Sequence, residues 1–173
     1  FNANIPVIIG STGWNEHLPQ TRERFTKNGR TMLYASNFSI GVNIFFALNK
    51  KLAELMNQQE LYKVKVDEIH HVQKLDKPSG TAITITEDII ERLDRKKSWV
   101  LDGNEQSNTI NIFSHREDNI PGTHIVTYQS DIDTIEIKHT AHNREGFAMG
   151  AIFAADWIKE KKGVFTMNDV LNI

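Results

Sequence analysis

The chain has 173 residues, of which 39% are hydrophobic and 24% charged, with a net charge of -2 and no cysteine. This length can bury a real core, and the composition is that of a globular protein rather than a disordered or fibrous one. Disulfides and thiolate chemistry are excluded, the scattered basic residues offer no broad footprint for nucleic acid, and no apolar run approaches the ~20 residues of a membrane-spanning helix.

The first apolar run, Ile5–Ile9, leads into Gly10-Ser11-Thr12-Gly13. A continuous apolar run ended by glycine suits a parallel strand covered on both faces. HLPQTRERFTK, stopped by Asn28-Gly29, predicts a helix, and TMLYAS predicts a second strand. Strand, helix, strand is the rhythm of an α/β sheet. Because Phe1 leads almost at once into a strand and turn, the chain is expected to be the back part of a larger protein. Ile5–Ile9 and Met32–Tyr34 should then lack neighbours on one side. No basic region followed by an apolar stretch is visible near Phe1, so a cytoplasmic protein is expected.

Residues 40–57 predict the longest helix, with Gly41, Phe45, Leu48, Leu52 and Leu55 as its apolar stripe. LYKVKVDEIHH alternates as a strand, with Tyr62, Val64 and Val66 on one face. After a break at Pro78, Ala82, Ile85, Ile89 and Leu93 set a second helical stripe through about residue 96. TINIFSHR, GTHIVTYQS and DTIEIKHTAH read as three strands, GFAMGAIFAADWIKEKK as a helix with a small-residue face, and TMNDVLNI as a short final helix. Two architectures are therefore expected in one chain, α/β at the ends and α+β in the middle.

Chemistry concentrates in EIHHVQKLDKPSGTA, residues 68–82. As strand-end neighbours, His70 and His71 point to opposite faces, so one metal ion could not easily take both. The two-histidine zinc-helix pattern is absent. His139 and His142 have a spacing seen in some metal sites, but no acid can be placed beside them, and no metal is expected. A single strand-end histidine is commonly a hydrogen-bonded structural residue, and a serine before a helix is commonly a plain cap. Here, though, Lys74 and both histidines lie within one loop of Ser79-Gly80-Thr81. The unpaired amides and dipole of a helix start suit a carboxylate or phosphate, and Gly80 lets a ligand approach the backbone. The grouping suggests an anionic substrate held by amides and a cation, with proton donors close by.

This long segment resembles the signature of the 4-hydroxy-tetrahydrodipicolinate reductase (dihydrodipicolinate reductase) family of bacterial lysine and diaminopimelate synthesis. IIGSTGW, ASNFSIGVN and HTAHNREGFAMGA resemble further segments of that family, so the likeness runs over nearly the whole chain. The resemblance implies an NADH- or NADPH-dependent reductase, usually a homotetramer, acting on a small cyclic dicarboxylate. It implies the C-terminal remnant of a Rossmann domain plus an α+β substrate domain with a mixed, mostly open sheet. Residues 1–38 would be the partial dinucleotide-binding domain, 39–143 the substrate-binding and oligomerisation domain, and 144–173 the helices returning to the former. His70 and Lys74 would be the proton donors, while His71, Ser79, Gly80, Thr81 and Arg144 would meet the substrate. Gly10, Ser11, Thr12, Ala35, Ser36, Asn37 and Phe38 would lie against the nicotinamide end of the cofactor.

The sequence departs from the family in three places. The Gly-x-x-Gly-x-x-Gly turn that would hold the pyrophosphate does not occur in these residues, so the fragment itself is expected to be inactive. Lys77 stands where alanine is common, and the segment between SWVLDG and PGTH is shorter than in many members. Two other classes remain open: a metal-dependent hydrolase using His70 or His71 with His139 and His142, and a non-catalytic oligomerisation fragment.

Overall fold

A computed structural model describes residues 4–11, 14–104 and 106–173. In chain order the elements are β1 (Val7–Ile9), α1 (Leu18–Lys27), β2 (Met32–Tyr34), α2 (Ile40–Met56), β3 (Lys63–His70), α3 (Gly80–Ile90), β4 (Ser98–Leu101), β5 (Thr109–Arg116), β6 (Gly122–Gln129), β7 (Thr134–Ala141), α4 (Glu145–Ile158), β8 (Val164–Phe165) and α5 (Met167–Leu171). They form two compact units, residues 1–43 with 145–173, and residues 44–144.

In the first unit, β1 and β2 run parallel, which requires a crossover, and α1 supplies it. Proline sits in the first turn of α1, where its missing N–H costs nothing, and Gly29 takes φ +59 just past the Asn28 cap, as expected. The sheet order is β1-β2-β8, so β2 has neighbours on both sides and Met32 and Leu33 are fully buried. The expectation that Met32–Tyr34 would be an edge fails because β8, too short to be read from sequence, pairs with it. β1 is shorter than expected, with Ile5 outside it and Val7 38% exposed, so it is not covered on both faces. Leu33, Phe38, Ala154, Ile158, Met167 and Val170 form the core. Gly150 in α4 is there for close approach: a Cβ on it would stand 1.8 Å from the Phe38 carbonyl oxygen.

The second unit is built on a five-stranded sheet of order β4-β5-β3-β6-β7. Its β4, β5 and β3 are parallel, while β6 and β7 are antiparallel, giving the mixed open sheet expected. β4 has no clear alternation and was not expected as a strand. The strict alternation of β3 buries Val64 and Val66 against Ile112 and Val126 of its neighbours. The α3 stripe of Ala82, Ile85, Ile89 and Leu93 is fully buried, as the spacing predicts, although the helix itself ends at Ile90.

The stripe predicted for α2 needs correction. Phe45 is buried as expected, but Gly41 is exposed and Leu48 and Leu55 are 55% and 61% exposed; the buried face runs through Phe45, Phe46, Asn49, Ala53 and Met56. Asn49 is fully buried because its side-chain amide donates to the Ile85 carbonyl at 3.0 Å. The end of α2 is capped from a distance by Arg95, which donates to the carbonyls of Met56, Asn57, Gln59 and Tyr62.

Candidate active site

β3 carries its pattern into chemistry at its C-terminal end. The side that buries Val64 and Val66 continues with Glu68, fully buried, and His70, 6% exposed. Register sets Glu68 opposite Ser114 of β5 and His124 of β6, and sets His70 opposite Arg116. One end of this sheet face is thus polar where the rest is apolar.

An isolated buried carboxylate would be very costly, and Glu68 is accordingly saturated with donors. The Ser79 amide lies 3.1 Å from both of its oxygens, Ser114 donates its hydroxyl, and the Arg116 guanidinium lies 3.4 Å away. Burial pushes its pKa up, but the hydrogen bonds from Ser114 and Ser79 and the nearby His70 outweigh this and hold it below the usual value. It is a carboxylate at neutral pH.

His70 Nδ1 is 3.4 Å from Glu68, and its Nε2 would lie 3.1 Å from a Cβ on Gly122, so glycine is what leaves the ring its room. Burial lowers the His70 pKa, Glu68 opposes that, and Lys74 and Arg116 reinforce it, leaving the imidazole neutral at neutral pH. The His124 ring packs edge-on against His70 with centroids 5.0 Å apart. Burial, then the charge of His70, pushes the His124 pKa down to about 3. Its Nε2 is 3.2 Å from Ser79 Oγ, which also accepts from the Ala82 amide and caps α3.

The loop between β3 and α3 places the remaining predicted residues. Lys74 donates to both oxygens of Asp76 at 2.8 Å. Burial pushes the Asp76 pKa up, but the hydrogen bond and charge of Lys74 bring it below normal. Lys77 is drawn to Asp102 at 2.8 Å. His71 Nε2 meets Arg144 Nη2 at 3.1 Å; arginine only donates, so Nε2 accepts and the ring proton sits on Nδ1. Gly80 is exposed at the helix start, and a Cβ on it would meet nothing within 4 Å.

In the first unit, the residues expected at the cofactor follow the C-terminal ends of the parallel strands β1 and β2, where open α/β sheets hold their ligands. Gly10, Ser11 and Ser36 are exposed, while Ala35 and Asn37 are half-buried. Phe38 is buried beneath, and a Cβ on Gly10 would stand 3.1 Å from its ring. The Asn37 side chain accepts from the Ser39 amide at 2.9 Å, and its carbonyl accepts from Asn43 at 2.9 Å, which fixes the loop. Thr12 lies outside the described residues.

Residues 41–171 match the family model described as dihydrodipicolinate reductase, C-terminus. The chain belongs to the dihydrodipicolinate reductase family. It is 52% identical, over 99% of its own length and 72% of the relative's, to the 4-hydroxy-tetrahydrodipicolinate reductase of Christiangramia forsetii. The protein of the same name from Methanococcoides burtonii is 38% identical, over 98% of this chain and 65% of that one. Among solved structures, the dipicolinate-bound dihydrodipicolinate reductase of Paenisporosarcina sp. TG-14 aligns with a TM-score of 0.70 and 26% identity, covering 95% of this chain and 64% of that one. The chain thus spans roughly two thirds of the length of these reductases.

Sequence reasoning missed Glu68, Asp76, Ser114, Arg116 and His124 of this reductase fold. Glu68 and His124 were legible in part, as polar residues at positions where strand alternation points inward. Glu68, His70 and His124 also offer ligand atoms within 4.8 Å of one another. Arg116 already lies against that carboxylate, and a cation beside a guanidinium is opposed, so the cluster suits hydrogen bonding rather than a metal. It is also a different set from the one the hydrolase alternative named: His139 and His142 are not in it.

Proposed function

We propose that this chain supplies the substrate-binding and proton-donating parts of an NADH- or NADPH-dependent 4-hydroxy-tetrahydrodipicolinate reductase of lysine and diaminopimelate synthesis. The observation that carries the reading is the loop of residues 70–81, where Lys74 and the neighbouring histidines lead directly into an open helix start. One carboxylate of the cyclic substrate sits on the amides of Gly80 and Thr81 beside Ser79. His71 and Arg144, already paired at 3.1 Å, bind the dicarboxylate as a unit.

A bound reduced nicotinamide would supply the hydride, against the Gly10–Ser11 and Ala35–Phe38 segments. Loss of the hydroxyl together with a neighbouring ring proton, as water, leaves the conjugated ring; hydride addition to that ring leaves an electron-rich centre that takes up one proton. Lys74 is the first donor of this reading, since a lysine side chain can both bind a carboxylate and give up a proton. His70 is the second donor of this reading. Buried beside Glu68 and neutral, its imidazole can serve as a relay that accepts a proton at one ring nitrogen as it releases one from the other, with Lys74 facing the substrate. A homotetramer and a cytoplasmic location complete the proposal on family resemblance; among the described residues no helix is long and apolar enough to cross a membrane.

The test is a coupled assay on the full-length protein, fed by dihydrodipicolinate synthase, following loss of reduced nicotinamide. Oxidation of NADH or NADPH that depends on the synthase product is expected. No oxidation of either cofactor would overturn the proposal.

A further inference from the structure

Glu68 sits where an apolar residue would continue the Val64–Val66 face, and it is fully buried. A buried ion pair is poor evidence for stability, because well-packed apolar groups commonly do as well or better. The question is what the carboxylate holds. Its oxygens accept from the Ser79 amide, the Ser114 hydroxyl and Arg116. Arg116 also reaches the loop itself, donating from Nε to the Lys74 carbonyl at 3.3 Å and from Nη2 to the Asp76 carbonyl at 2.6 Å. The guanidinium fork can serve several acceptors in fixed geometry, which an ammonium cannot.

From this arrangement we infer that Glu68 is a positioning residue for dicarboxylate binding. It fixes the loop at two points at once: through Ser79 it sets the start of α3, and through Arg116 it sets the mid-loop backbone that carries Lys74 and Asp76. None of its contacts leaves it free to touch a ligand. The inference deepens the proposed function and rests on the reading of Lys74 and the α3 amides as the dicarboxylate site.

The experiment uses the full-length protein with Glu68→Gln, Arg116→Lys and Ser114→Ala, each measured for dipicolinate affinity by calorimetry, for NADPH and NADH affinity, and for hydrogen exchange across residues 71–81. A glutamine presents an N–H2 group where Ser79 and Arg116 both donate. Dipicolinate binding in Glu68→Gln is expected to weaken tenfold or more, the scale of a lost charged hydrogen bond, while cofactor affinity stays within about twofold. The substrate KM should rise more than kcat falls, and exchange across 71–81 should quicken. Arg116→Lys keeps the charge and should show the same selective loss, and the double variant should be no worse than the weaker single one. Unchanged dipicolinate affinity, or an equal loss of both affinities, would overturn the role of Glu68. If Glu68→Gln does not fold, the same comparison in Arg116→Lys and Ser114→Ala decides by the same criteria. Should the parent bind no dipicolinate, the site reading fails by itself; the role of Glu68 then stands or falls on whether exchange across 71–81 changes in the variant.

Discussion

Replacing His124 with glutamine should flatten the acid dependence of stability. His124 is 5% exposed, and burial, reinforced by the charge of His70, pushes its pKa from 6.5 down to about 3. The other charged groups acting on it are Glu68, which favours its protonation, and His139 and Lys74, which oppose it. The folded-state pKa is depressed, so between pH 6.5 and 3 the unfolded chain binds a proton that the folded chain refuses. The neutral-ring stability is therefore fully present above about 6.5 and drains away as pH falls towards 3. At about 1.4 kcal/mol per pKa unit the whole shift is worth ~5 kcal/mol, of which ~2 kcal/mol is already lost at about pH 5. Glutamine can keep a hydrogen bond to Ser79 Oγ but cannot titrate. Urea unfolding of parent and variant at about pH 8 and about pH 5 should give a loss smaller by ~2 kcal/mol in the variant. Glu68, whose pKa is held below the usual carboxylate value, contributes little in this window. His70, whose pKa is also lowered, adds to the loss in the same direction in both proteins. Equal losses in parent and variant, or an ordinary His124 titration by NMR, would refute the reasoning.

Lys74→Ala in the full-length protein should lower kcat by about 10²-fold or more, the scale of a positioned acid, and Lys74→Met should do the same while keeping the side-chain bulk. His71→Ala should raise KM for the dicarboxylate more than it lowers kcat, because it removes binding common to ground and transition states, which steady-state kinetics resolves. Gly150→Ala puts a Cβ 1.8 Å from the Phe38 carbonyl oxygen, so α4 or the loop must shift. A destabilisation of ~3 kcal/mol and weaker NAD(P)H binding with unchanged dipicolinate binding are expected, measured by denaturation and calorimetry.

What the sequence by itself determined was set by local pattern. The α3 stripe was legible because Ala82, Ile85, Ile89 and Leu93 are nearly the only aliphatic residues of one face, and one face is what the sheet covers. The strand alternation of β3 and the signature of residues 68–82 were equally local, and the signature was enough to point to the family. For α2 the pattern misled. Apolar residues stand around much of that helix, from Ile44 and Phe45 to Leu48 and Leu55, so periodicity could not choose a face. Packing chose the one with Asn49, whose amide found the Ile85 carbonyl. β4 and β8 become strands through partners, β5 and β2, that lie elsewhere in the chain, and no short window contains that information. The same holds for the hub of the site. Register alone brings Ser114, Glu68 and His124 into one row and Arg116 beside His70, joining residues far apart in sequence. A buried carboxylate is tolerable only once those donors converge on it, and that convergence is a property of the folded sheet.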